Sequence, residues 1–390
     1  MFFKKGKDLS IFKDAVFAVS SLAKSDDDEN KVDATIGSLC GEDGKLVAFK
    51  SVYDCFNKIS DISKTAYAKS PIGNPDFCKS IVDFVLEDKV EGKAVATAGG
   101  TGAISLALDI CLEKGETVIL PDVSWGNYRQ MIKERNLEAL TYDIYNLNDL
   151  LEKIKSKDRV FVIINSPCEN PCGHSYSYKE WEEILSTLNS KEEAILLNDV
   201  AYIDYAYDEK YKDYFKLFNN LNKNVLVLIA YSCSKTFSYY GQRLGALIVI
   251  NKDKEFVDLF INQCGKHIRA EYSSCNNAAM IAVNDVLNNH LDSFLKEKNY
   301  YKDLLKQRSE LFIKESKEND IDLYPYNEGF FVTIKYSDND IRDKVHEKLI
   351  ENHIYCIKMN KGIRVGICSA PLDKIKGLAF KIKSVENSVK

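Results

Sequence analysis

From residue 93 onward, short apolar runs rich in β-branched residues alternate with stretches of helical spacing. This alternation leaves few architectures open. The runs occupy residues 93–98, 117–120, 160–164, 194–197, 225–230 and 246–250. A short, uninterrupted apolar run of this kind reads as a strand buried on both faces. Helical patterns lie between most of them. In 103–112, for example, Ala103, Leu106, Ala107, Ile110 and Cys111 share one face. Strands and helices in alternation predict a mainly parallel sheet with helices on both sides. In such sheets ligands bind beyond the carboxyl ends of the strands.

The flanking regions read differently. Residues 1–30 are charged and weakly periodic, an arm or a first helix with a loop, and a short strand and a turn follow at 32–37 and 41–45. Residues 46–60 have helical spacing, 67–77 are irregular, with two prolines and a glycine, and a helix is expected over 76–86. Residues 99–102 read as a turn. Beyond 253 helices dominate, with one long pattern over 276–314. A smaller α+β segment closes the chain, with strands near 329–334 and 362–365 and helices near 340–351 and 372–388. With 390 residues, one large and one small domain is the natural partition. The expected fold is α/β: a large domain over 46–285, a small α+β domain over 286–390, and residues 1–45 as an N-terminal arm and part of the small domain.

Composition removes several function classes. Net charge is −5 and the lysines are scattered, so no nucleic-acid partner is expected. The eleven cysteines show no framework of short spacings. Cys168 and Cys172 have only His174 nearby, too few ligands for zinc, so no metal is expected and the thiols read as reduced. No run reaches membrane-spanning length and the first residues lack the apolar segment of a signal peptide. The expectation is a soluble cytoplasmic protein with no membrane partner.

The chemistry concentrates beside the strands. Ser232-Cys233-Ser234-Lys235 and Arg243 lie between the runs 225–230 and 246–250. A lysine next to a core is either a solvated loop cation or a desolvated amine able to attack a carbonyl. Arg243 offers a planar fork suited to phosphate. Gly99-Gly100-Thr101-Gly102-Ala103 opens a helix, which fits either a tight cap or one phosphate at a helix N-terminus. Trp125 follows another strand, as a stacking face or a core residue. Asn170, in Asn-Pro-Cys-Gly, serves turn chemistry or donates to an oxygen. Asp199 ends a buried strand and needs a partner, which a protonated pyridine nitrogen, a metal or a cap would provide, and Tyr202 follows it. Arg364 sits in the short run 362–366, as a carboxylate clamp or an edge-strand cation.

In their order and spelling these segments resemble the class I aminotransferases of pyridoxal-phosphate (PLP) fold type I, the aspartate and aromatic aminotransferases most of all. The anchors are Gly-Thr-Gly-Ala at 100–103, Ser-Trp-x-Asn at 124–127, Asn-Pro-x-Gly at 170–173, Asp-x-Ala-Tyr at 199–202, and Ser-x-Ser-Lys with Arg243. Residues 71–77 look like the family's Pro-Ile-Gly-x-x-Pro-Glu-Phe, one residue shorter.

The resemblance implies a PLP-dependent aminotransferase, working by a ping-pong cycle with a 2-oxo acid such as 2-oxoglutarate. Lys235 would carry PLP covalently and later move the proton. Gly100, Thr101, Ser232 and Arg243 would hold the phosphate, and Trp125 would stack on the ring. Asn170 and Tyr202 would bond its phenolic oxygen, and Asp199 its nitrogen. Arg364, assisted by Asn170, would bind the substrate α-carboxylate, and Gly37 would line the substrate pocket. A homodimer with shared sites is implied, in which Arg269 reads a side-chain carboxylate in the neighbouring subunit. A neighbouring-subunit tyrosine of the family falls at Lys69 here, with Tyr67 close by. Cys275-Asn276 replaces the family's Pro-Pro, and Cys172 its threonine. A PLP-dependent β-lyase or decarboxylase, and a non-catalytic PLP-binding regulator, are the alternatives.

Overall fold

The structure, a computed structural model, describes Phe2, Ile11 and residues 14–389. Of the expected arm or first helix over 1–30, residues 1, 3–10, 12 and 13 lie outside the described residues. A helix, Ala15–Ser25, follows, capped by the Asp14 carboxylate, which accepts from the amides of Val16 and Phe17.

Seven strands form the main sheet: β1 (Lys93–Thr97), β2 (Thr117–Pro121), β3 (Glu138–Tyr142), β4 (Arg159–Asn165), β5 (Glu193–Asp199), β6 (Val225–Ser232) and β7 (Gly245–Ile250). Their spatial order is β1-β7-β6-β5-β4-β2-β3, all parallel except β7, which runs antiparallel to both neighbours. The period of two explains the uniform apolar runs. Val225, Val227, Ile229 and Tyr231 of β6 enter one core, while Leu226, Leu228 and Ala230 enter the core on the other face.

Register then lines up the strand ends. Asn165 pairs with Asp199, Asp199 with Ala230, and both Ser232 and Thr97 with Gly245. Because β7 is reversed, its first residue shares an edge with the last residues of β1, β4, β5 and β6.

A three-stranded antiparallel sheet, ordered Ile357–Met359, Gly362–Gly366, Phe331–Lys335, stands apart from the first, and Val32–Asp33 pairs in parallel with Ile354–Tyr355. The 28-residue helix Leu291–Glu318 connects the two regions. Its fully buried Arg308 donates to the carbonyls of Cys40 (3.0 Å) and Cys368 (3.2 Å), tying the N-terminal segment to the turn after the Arg364 strand.

Some expectations need correction. Residues 99–102 are the first turn of helix Gly99–Cys111, and Gly99 alone takes the left-handed conformation (φ +74°). The pattern over 276–314 is two helices, Asn277–Asn289 and Leu291–Glu318, broken at His290. The closing helix divides into Leu372–Ile375 and Leu378–Val389 around Gly377 (φ +76°). The edge strand β3 and the strands Ile354–Tyr355 and Ile357–Met359 are additions to the expected set. β3 is largely exposed and so lacks the apolar run that marks its neighbours.

Candidate active site

The carboxyl edge of the main sheet opens into a cavity lined by Gly100, Thr101, Trp125, Tyr128, Asn165, Asn170, Asp199, Tyr202, Ser232, Ser234, Lys235, Tyr240 and Arg243. An adjoining cavity shares Trp125, Asn170, Tyr202 and Lys235 and adds Gly37, Phe331 and Arg364. The residues singled out in the sequence from Gly100 to Arg243 therefore share the first cavity, although they come from the ends of five separate strands.

Each is held by local structure. Lys235 lies in the four-residue helix Cys233–Thr236, where β6 ends. Its Nζ donates to the Gly37 carbonyl at 2.5 Å and lies 5.4 and 5.0 Å from the ring centroids of Tyr202 and Tyr240. Burial pushes its pKa down to about 8, and the Arg364 and Arg243 charges act in the same direction. Cys368 and Asp199 oppose the shift. The amine is thus within reach of its neutral, nucleophilic form near physiological pH.

Asp199 ends β5 and is buried. Its Oδ1 accepts from the Ala201 amide at 3.0 Å and its Oδ2 from the Tyr128 hydroxyl at 2.5 Å. Burial raises its pKa to about 6, against the lowering effects of Tyr128, the Ala201 N–H and Lys235. Asn165 donates to the Asp199 carbonyl (2.8 Å) and accepts from the Asn170 amide (2.9 Å), so two strand ends lock the loop that carries Asn170. The Asn170 side-chain amide then donates to the Tyr202 hydroxyl at 3.3 Å.

Arg364 approaches from the three-stranded sheet. It is buried, donates to Asn170 Oδ1 (3.1 Å) and the Thr35 carbonyl (2.7 Å), and lies 4.2 Å from the centroid of Phe331. Its Nε has no partner among the described residues. A buried guanidinium that pairs with no carboxylate among the described residues is chemically suited to receive one.

Arg243, in the left-handed region (φ +51°), donates to Ser234 Oγ (3.1 Å) and the Tyr240 carbonyl (3.0 Å). Its Nη2 would lie 2.6 Å from a Cβ placed on Gly99. Gly100, Thr101, Ser232, Ser234 and Arg243 thus gather around the first turn of helix Gly99–Cys111, where backbone amides and helix dipole favour an anion.

Three other residues fall elsewhere. Arg269 is exposed near the end of helix Lys254–Glu271, outside both cavities. Tyr67 is 86% exposed. Lys69 is exposed and pairs with Asp76 at 3.2 Å.

The aminotransferase class I and II family model matches residues 29–380. The chain belongs to this family. It is therefore an enzyme of the transaminase class, and members of the family work with pyridoxal 5′-phosphate. A cytoplasmic aspartate aminotransferase of Dictyostelium discoideum is 27% identical over 278 residues, which span 67% of this chain and 63% of that protein. The crystal structure of an aminotransferase from Anaerococcus prevotii superposes with a TM-score of 0.94 at 29% identity, covering 99% of this chain and 100% of that one. An aromatic-amino-acid aminotransferase of Burkholderia pseudomallei, solved covalently bound to pyridoxal phosphate, shares the fold at TM-score 0.81 and 21% identity, covering 99% and 100%. The fold is thus that of PLP fold type I enzymes.

Sequence reasoning assigned no role to Tyr128, Asn165, Ser234, Tyr240 or Phe331. Tyr128 carries a usable signal: it lies three residues after Trp125, the N-cap of its helix, and the two rings meet edge to face at 5.3 Å. Tyr240 does not. Its hydroxyl accepts from the Leu39 amide at 2.8 Å, across 201 residues of sequence.

Proposed function

We propose that the protein is a PLP-dependent aminotransferase that moves the amino group of an L-amino acid, of aspartate or aromatic type, to a 2-oxo acid such as 2-oxoglutarate. The observation that carries this is that Lys235 lines two adjoining cavities, one shared with the buried Arg364 guanidinium and the other with the buried Asp199 carboxylate.

The donor set fits the cofactor. In the first cavity Lys235 and Arg243 face one lining carboxylate, Asp199, and Arg364 adds a buried cation in the adjoining one, which suits a guest bearing a phosphate together with a substrate carboxylate. Gly100, Thr101, Ser232 and Arg243, with Ser234, would hold the phosphate. Trp125 would cover the ring, Asp199 would face its nitrogen, and Asn170 and Tyr202 its phenolic oxygen. When bound, PLP supplies an electron sink conjugated to the substrate Cα.

The remaining work belongs to the chain. Arg364 and Asn170 bind the α-carboxylate and so orient the Cα–H bond. Gly37 keeps the substrate side open: a Cβ there would come within 2.6 Å of Phe331 Cζ. Lys235 Nζ, held near neutrality by burial, takes the proton from Cα and returns it on the way to product. Tyr202, Tyr240 and Phe331 wall the volume with rings and limit water around that proton.

Arg269 and Tyr67 or Lys69 would act in the site of a second copy, making the enzyme a homodimer with shared sites. Their exposure away from the chain's own cavities supports this reading. The division into 1–45, 46–285 and 286–390 would let the region bearing Arg364 close on substrate. A cytoplasmic setting accords with the composition, and no helix among the described residues is long and apolar enough to cross a membrane.

The test is a panel of L-amino acids with 2-oxoglutarate, monitored for glutamate. Wild-type protein should form glutamate with at least one acidic or aromatic donor, and Lys235→Ala should form none. Full activity in Lys235→Ala would overturn the assignment.

A further inference from the structure

The helix that carries Lys235 is four residues long and has no side-chain cap at its N-terminus. A single turn does not hold its own geometry, because nucleation is costly and nothing propagates from it. The direction of the Lys235 amine must therefore be set by what packs on the turn.

Beneath the turn lies a buried ionic cluster that has no part in the cavity. Asp204, 1% exposed, accepts from Thr236 Oγ1 at 2.7 Å and from the Tyr231 hydroxyl at 3.4 Å, both through Oδ2. Its Oδ1 accepts from the Tyr211 hydroxyl at 3.5 Å and faces Lys298 Nζ at 3.6 Å and Lys212 Nζ at 4.0 Å. Both lysines are buried. Lys212 also donates to the Phe84 carbonyl (2.9 Å) and to Glu87 Oε1 (2.7 Å). Beside Asp204, the Tyr205 hydroxyl donates to the carbonyl of Lys235 itself at 3.1 Å. Phe237 stacks on Phe294 at 4.7 Å, from the same helix as Lys298.

We propose that Asp204 is a positioning residue for the reaction: through Thr236 it fixes the turn Cys233–Thr236, and so aims the Lys235 amine at the reacting carbon. The inference rests on the reading of Lys235 as the proton carrier. A cluster serving stability alone has no need of charge, since apolar residues of similar volume do as well or better. A carboxylate with several directional partners does what an apolar contact cannot: it sets one register of the turn against β6 and helices Pro75–Leu86 and Leu291–Glu318. Burial would normally raise the Asp204 pKa, yet it lies below the usual carboxylate range because Lys298 and Lys212 face it. The anchor therefore stays ionised across the working pH range.

The experiment compares cofactor-loaded wild type with Thr236→Val, Thr236→Ser and Asp204→Asn. The readouts are kcat, KM for the amino donor, visible circular dichroism of the bound cofactor, and Tm. Thr236→Val keeps the shape of the side chain and removes the hydroxyl. It should lower kcat roughly tenfold to a hundredfold, the scale of a misplaced reacting group. KM should stay unchanged, because Arg364 is untouched, and the visible dichroism should fall. Asp204→Asn should behave alike. Thr236→Ser should restore both kcat and dichroism, whatever Tm does. If Asp204→Asn does not fold, the two Thr236 variants still decide. Wild-type kcat and dichroism in Thr236→Val would overturn the proposal, as would a Thr236→Ser variant as impaired as Thr236→Val. A wild-type protein with no visible band from lysine-bound cofactor would instead refute the role of Lys235, and the inference with it.

Discussion

The Tyr128 hydroxyl donates to Oδ2 of Asp199 at 2.5 Å, joining helix Gly126–Glu134 to the end of β5. Burial has already raised the Asp199 pKa to about 6, and this bond is the first of the contacts that restrain it. Removing the bond releases that restraint. In Tyr128→Phe the Asp199 pKa should rise further, so less carboxylate is available at mildly acidic pH to hold a protonated ring nitrogen. PLP uptake by the cofactor-free protein should weaken from a higher pH in the variant than in the wild type. The check is the half-saturation concentration measured by absorbance between pH 5 and 8. Coincident curves would show that the bond does not govern Asp199.

The same carboxyl carries a folding cost. Its folded pKa lies above its ordinary value of 3.8, so the folded state binds more protons between about pH 4 and 6. Stability therefore falls as pH rises through that window, and the cost is fully present above it. A shift of this size corresponds to on the order of 3 kcal/mol. Asp199→Asn should raise the Tm of the cofactor-free protein at pH 8, with the gain shrinking toward zero near pH 4, and should lack transfer activity. Calorimetry at the two pH values checks the sign.

Arg364 predicts a separation between binding and chemistry. Its Nε lacks a partner among the described residues, its two terminal nitrogens are held by Asn170 and Thr35, and Phe331 covers its face. Lysine reproduces the charge but not the fork. Arg364→Lys should lower kcat/KM for amino donors by roughly a hundredfold, or about 3 kcal/mol of charge-assisted hydrogen bonding. The visible absorption of bound cofactor should be unchanged, because lysine keeps the positive charge and Lys235, Asp199 and Arg243 are untouched. Steady-state kinetics together with a spectrum of the resting enzyme test both halves.

Much of this site is legible in the sequence, for a simple reason. Asp199 ends a buried strand, Lys235, Asn170, Trp125 and Gly100 each follow one, and parallel strands deliver their ends to one edge. What escapes is whatever depends on distant pairing or on partial exposure. Strand β3 is an exposed edge without an apolar run, and the break at His290 has no proline or glycine to announce it. Asp204 lies in a tyrosine-rich segment to which sequence reasoning assigned no role, and Lys298, 94 residues away, together with Lys212, offsets the cost of its burial. The contact between Tyr240 and Leu39 is of the same kind.

Whether Arg269 serves its own site or a partner's is decided by mixing variants. Arg269 is exposed and outside the chain's own cavities, so in the proposed homodimer it would complete the partner's site. On the proposed roles, Lys235→Ala would disable the site in its own subunit but still offer Arg269 to the neighbour. Arg269→Ala keeps Lys235 but offers nothing across the interface. In a two-fold symmetric hybrid of the two, one site has both residues intact and the other has neither. After unfolding and co-refolding equal amounts, about half the dimers are hybrids, each with one working site of two, so activity toward a dicarboxylic donor should recover to roughly a quarter of wild type. If Arg269 acted within its own subunit, every site in the mixture would lack one residue or the other. Activity would then not exceed the mean of the two variants measured separately.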